Sequence, residues 1–91
     1  MFYIVSYDIS SNKRRKKVAD LLEGYGQRVQ LSVFECELSD KQFKEMYQKL
    51  LKRIKHEEDN IRIYPVSGHT IGQIIIIGGV PLTTAPGSTV V

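Results

Sequence analysis

Residues 2–17, FYIVSYDISSNKRRKK, decide how the rest of this 91-residue chain is read. Phe2 to Tyr7 is dense in β-branched and aromatic side chains and predicts a strand. Asp8 is the first charged side chain and stands at that strand's end. Ser10, Ser11 and Asn12 carry turn and helix-cap chemistry. Lys13, Arg14, Arg15, Lys16 and Lys17 then fall on the opening turns of a helix that continues through Val18, Leu21 and Leu22. Cations at a helix N-terminus oppose the macrodipole, by a few tenths to about 1 kcal/mol each. Such a run is either a solvated helix face or a surface kept for a polyanion such as a phosphate backbone. The run alone leaves both open.

Asp8 sharpens the choice. A strand-end aspartate can be a turn residue or a helix-approach cap. Beside a phosphate-binding surface it is also a hard oxygen ligand for Mg²⁺, the cation that metal-assisted phosphodiester cleavage requires. One carboxylate holds Mg²⁺ poorly, and the sequence around Asp8 contains no second acidic residue. A second must come from elsewhere in the fold or from another copy of the chain.

Composition places the chain among single-domain globular proteins, 42% hydrophobic and 25% charged. A chain this short buries only about two-thirds of its unfolded surface, so assembly would add useful burial. No apolar run reaches membrane-spanning length, and Asp8 interrupts the early apolar stretch where a signal peptide would need continuity; the expected location is cytoplasmic. Cys36 is the single cysteine, which excludes an internal disulfide and a structural zinc site, and it reads as a small buried residue. Net charge +3 is compatible with a nucleic-acid partner.

The first helix is predicted over Asn12–Glu23, with Val18, Ala19, Leu21, Leu22 and Tyr25 as its apolar stripe and Gly24 and Gly26 as its stop. Gln27–Leu38 is strand-like and long enough to require a bend near Leu31 and Ser32. Ser39 and Gln42 fit a capping box. Behind them Phe43, Met46, Tyr47, Leu50, Leu51 and Ile54 repeat at helical spacing, to an expected end near Lys55 or His56. Ile61–Tyr64 predicts a further strand closed by Pro65, and residues 67–72 a loop. Ile74–Ile77 reads as an apolar strand, and residues beyond Gly79 as a tail. His56 and His69 read as surface residues.

Strands alternating with two helices give an α/β or α+β class in two layers. Tyr3, Val5, Tyr7 and Ile9 fall on one face of the first strand, and Phe2, Ile4, Ser6 and Asp8 on the other. Two helices cover one face only. A second copy related by a two-fold axis would cover the other, and an axis near the end of the first strand would bring two Asp8 carboxylates together.

Three stretches, YDISSNKRRKKVADLLEGYG (residues 7–26), RVQLSVFECELS (28–39) and IRIYPV (61–66), resemble the CRISPR-associated protein 2 family in this order and spacing, over about residues 1–79. The resemblance implies a ferredoxin-like βαββαβ α+β sandwich over residues 1–79 and a homodimer; the β-propensity of the tail over residues 80–91, with Pro81 and Pro86 excluding a central strand, predicts that it docks on the partner. The resemblance also implies spacer acquisition together with the integrase CRISPR-associated protein 1. The implied activity is that of a Mg²⁺-dependent endonuclease, or one using another divalent cation, on RNA or double-stranded DNA. The family's metal-binding and catalytic aspartate falls on Asp8, its basic helix start on Lys13, Arg14 and Arg15 with Lys16 and Lys17 beside them, and its second-region aromatic on Phe34. Tyr7 and Ser10 are further supporting positions. The family's acidic residues after the first strand are Ser10, Ser11 and Asn12 here, so this loop supplies no further carboxylate. The family fold also requires a hairpin within Gln27–Leu38. Two other functions share these features: a non-catalytic DNA-binding adaptor of the integrase complex, and an interferase-like toxin ribonuclease.

Overall fold

The structure, a computed structural model, describes residues 1–83. Its elements run β1 (Phe2–Asp8), α1 (Asn12–Glu23), β2 (Gln27–Gln30), β3 (Val33–Glu37), α2 (Asp40–Leu51), β4 (Asn60–Val66) and α3 (Gly68–Ile71). The four strands form one antiparallel sheet in the order β2-β3-β1-β4. The expected βαββαβ succession is therefore present, with α3 appended.

Local chemistry accounts for the element ends. Ser11 caps α1, its side chain accepting from the Arg14 N–H at 3.2 Å. Ser39 and Gln42 form the reciprocal capping box of α2. Gly26 is required by close approach: a Cβ there would overlap the Glu35 carbonyl oxygen and stand 2.5 Å from Cys36 Sγ.

The hairpin turns at Leu31 and Ser32, and a register shift between Arg28 and Gln30 bends β2. The Tyr7 N–H donates to the Ser32 carbonyl at 3.1 Å, so the turn is held against the end of β1. The core lies between the sheet and the two long helices. Val5 and Tyr7 of β1 and Phe34 and Cys36 of β3 meet Val18 and Leu22 of α1 and Met46 and Leu50 of α2. Tyr3 stacks on Phe43, with ring centroids 4.7 Å apart.

The opposite sheet face is more polar than its β1 residues imply. Antiparallel register places Ile4 beside Glu35 and Tyr64, and Ser6 beside Val33 and Arg62. Phe2 on this face is already buried within the chain.

Several expectations change. α2 ends at Leu51, short of Lys55, because residues 52–58 fold into turns. Pro65 lies inside β4, an edge strand of the sheet, where its missing N–H costs no ladder bond. Ser67 caps α3 where a loop is expected. Ile74–Ile77 belongs to no strand, and Ile75 and Ile77 are largely exposed. Among the described residues β2 and β4 each present a free edge of the sheet, and this run pairs with neither, so its β-propensity alone does not make it a strand. Most of the expected docking tail, residues 84–91, lies outside the described residues. Thr83 bonds its own chain, donating to Glu35 Oε1 at 3.1 Å and Gln27 Oε1 at 3.2 Å.

Candidate nucleic-acid and metal site

Asp8 closes β1 opposite Asn60 of β4, and its side chain is exposed. Among the described residues it takes part in no ion pair. It opens into a groove of about 620 Å³ whose walls include Asn12, Arg15, Lys16, Arg28 and Ser32. β1 supplies Asp8, α1 a wall that carries Arg15 and Lys16 together with Asp20 and Glu23, and the β2–β3 hairpin the other wall with Arg28.

The side chains of the cationic run are held in different directions. Arg14 turns inward: its Nε and Nη2 form a fork on Asp59 at 2.7 and 2.9 Å, and Nη2 reaches Glu58 at 3.0 Å. The Asp59 side chain is fully buried and also accepts the Lys55 N–H at 2.8 Å. The Arg14 fork holds the Asp59 carboxyl below its ordinary range, against the opposing effect of burial, and the Lys55 N–H acts in the same direction. Arg14 is held above its own ordinary value by the same hydrogen bond.

Arg15 stays at the groove, its Nη1 donating to the Ile9 carbonyl at 2.8 Å and its Nη2 bonded to Asn12. Lys16 is paired with Asp20 at 2.8 Å. Lys17 faces a separate depression beside Lys52 and Arg53, and Lys13 is exposed. Among the described residues, neither Lys13 nor Lys17 is in an ion pair.

The other expected positions divide. Ser10 is exposed on the loop after Asp8. Tyr7 is buried, with its hydroxyl 3.5 Å from the Leu31 carbonyl oxygen. Phe34 is 0% exposed, so it supports the groove from beneath and offers no face to a base. The Arg28 guanidinium lies 5.3 Å from the Phe34 ring centroid, a cation–π contact that sets this arginine on the groove wall. Arg28 and Asp59 are the site residues that sequence reasoning missed. Arg28 falls in a strand-like stretch with no charge pattern, and Asp59 reads only as a turn residue. Both roles arise from contacts distant in sequence. His56 and His69 are exposed as expected.

For a cation, the donors fit half a site. An exposed carboxylate with open lone pairs suits Mg²⁺, which keeps several waters and takes one or two carboxylates. Among the described residues no group of three or more His, Cys, Asp or Glu side chains could enclose an ion. No helix among them is long and apolar enough to cross a membrane.

Comparison with known proteins agrees with this architecture. Residues 1–74 match the family model for CRISPR associated protein Cas2. The chain is 57% identical over 89 residues to a protein of Synechocystis sp. named CRISPR-associated endoribonuclease Cas2 3, covering 98% of this chain and 97% of that one. It superposes on the crystal structure of hypothetical protein TT1823 from Thermus thermophilus with a TM-score of 0.79 at 42% identity, covering 91% of this chain and 96% of that one. It also superposes on a chain of a partial Cas6-RT-Cas1–Cas2 complex with a TM-score of 0.78 at 35% identity, covering 99% and 98%. With the βαββαβ order, the strand-end aspartate and the basic helix start already established, this chain belongs to the CRISPR-associated Cas2 family.

Proposed function

We propose that this chain is a divalent-cation-dependent endonuclease on RNA or double-stranded DNA that serves CRISPR spacer acquisition beside a Cas1 integrase. It would work as a homodimer that brings two Asp8 carboxylates to its two-fold axis. Relatives named as endoribonucleases and a structural neighbour in a Cas1–Cas2 complex support the class. The single observation that carries the reading is Asp8 itself: an exposed carboxylate at a rigid strand end, in a groove with Arg15 and Arg28 on its walls.

Asp8 and its counterpart on the second copy would hold the cation. When bound, Mg²⁺ supplies water activation and neutralises charge developing at the phosphate. Arg15 and Arg28 would set a phosphate beside Asp8, with register fixed by backbone contacts and little dependence on base sequence. Lys13 and Lys17 would extend the phosphate track beyond the groove, and the Ser10 hydroxyl stands close enough in sequence to join it.

A second reading is favoured by the pairing of Asp20, a further carboxylate on the groove wall, with Lys16: a non-catalytic adaptor that holds duplex DNA for the integrase. One variant tests both. Asp8→Asn keeps the side chain's shape and removes its charge. Under the nuclease reading it abolishes Mg²⁺-dependent cleavage of RNA and duplex DNA, while affinity stays equal or tightens. Under the adaptor reading, wild-type protein cleaves neither substrate and integration support survives the substitution. Persistent Mg²⁺-dependent cleavage by Asp8→Asn removes Asp8 from the catalytic site.

A further inference from the structure

The Arg14–Asp59 fork joins two segments that both end at the groove. Asp59 directly precedes Asn60, and Asn60 is the register partner of Asp8. Arg14 lies in the first turn of α1, which begins four residues after Asp8. The fork therefore ties the start of α1 to the start of β4, and the strand end carrying Asp8 lies between them. The next residue completes the frame: Arg15 Nη1 donates to the Ile9 carbonyl, the first backbone acceptor after Asp8. Ser11 closes it, its hydroxyl accepting the Arg14 N–H and its carbonyl accepting the Arg15 N–H at 2.9 Å.

A buried carboxylate with three donated hydrogen bonds is a costly feature for a surface turn. A hydrophobic residue would fill the same volume without a charge to desolvate. A planar fork, by contrast, fixes distance and orientation together. We propose that Asp59 is a positioning residue: acting through Arg14, it sets the first turn of α1 and thereby the place of Asp8 and Arg15 relative to bound phosphate. The inference rests on the reading of Asp8 as the working carboxylate. It assigns Asp59 no contact with substrate. It also gives Arg14 a duty different from that of its neighbours in the basic run.

The test uses full-length protein and three variants. Asp59→Asn keeps the shape and weakens the fork. Arg14→Lys keeps the charge and removes the fork geometry, and it serves where Asp59→Asn folds poorly. Glu58→Gln is the control, because Glu58 is exposed and the Arg14–Asp59 fork survives its loss. Amide hydrogen exchange is measured well below each unfolding midpoint, and cleavage kinetics are measured on the same samples. Asp59→Asn and Arg14→Lys are expected to speed exchange of the Arg14 and Arg15 amides about tenfold relative to those of β3, as local opening predicts. They are also expected to lower kcat by about tenfold or more, with KM within about twofold. Glu58→Gln should do neither.

Exchange that rises uniformly along the chain, with kcat per folded molecule unchanged, would reduce the fork to a stability element and overturn the inference. Unchanged exchange at Arg14 and Arg15 would overturn it as well. The exchange arm needs no catalysis. If wild-type protein fails to cleave nucleic acid, the nuclease reading falls while the exchange data still decide the positioning of the groove.

Discussion

The division of labour among the five cations can be read from the salt dependence of nucleic-acid binding. Each phosphate neutralised contributes about 0.9 to the slope of log affinity against log salt for duplex DNA. Lys13 and Lys17 are exposed, and among the described residues neither is in an ion pair. Replacing both by Ala should shallow the slope by about 1.8 for each subunit engaged. Between about 50 and 200 mM salt, a fourfold change, wild-type protein should then lose about twelvefold more affinity than the double variant for each subunit engaged.

Arg14 should behave differently. Its Nε and Nη2 are held on Asp59 at 2.7 and 2.9 Å in a side chain only 18% exposed, so a phosphate could reach it only through Nη1 or by displacing those contacts. Arg14→Gln is therefore expected to change the slope by less than about half a unit. Fluorescence anisotropy with a labelled duplex, titrated at several salt concentrations, measures all three proteins. If Arg14→Gln shallows the slope as much as the Lys13 and Lys17 pair, Arg14 releases Asp59 on binding and the partition drawn from the ion pairs is wrong.

Three further outcomes are expected. Light scattering at micromolar concentration should give a homodimer, and a stable monomer would remove the second carboxylate from the proposed site. Because Arg14 holds the Asp59 carboxyl below its ordinary range, the stabilisation is complete above the unfolded aspartate value, about 3.9, and is lost as pH falls through the folded value. Urea midpoints of wild type and Asp59→Asn should therefore converge in acid, and a gap independent of pH would show that the carboxylate charge contributes nothing. Burial, with a smaller contribution from Glu35, pushes the Cys36 thiol up to about 11; native protein at pH about 8 should resist maleimide, whereas denatured protein should label fully.

What the sequence determined by itself is local. The bounds of α1 follow from Ser11, the Val18–Leu22 stripe and Gly24, and each signal acts within one or two helical turns. The capping box of α2 and the position of Asp8 at the end of β1 are legible for the same reason. The tertiary structure decided the pairings. The length of Gln27–Leu38 announced the bend near Leu31 and Ser32, but its closure as a hairpin, with β3 between β1 and β2, was decided by the pairings of the sheet. Ile74–Ile77 has the composition of a strand and is not one, because propensity alone does not make a pairing, even with β2 and β4 at the sheet edges. Phe34 became a core residue because register turned it toward the helices. Arg14 left the basic surface because a carboxylate forty-five residues away came within 2.7 Å of it. Periodicity carries information over a few residues, whereas a charge–charge contact is set by which segments the folded sheet brings together.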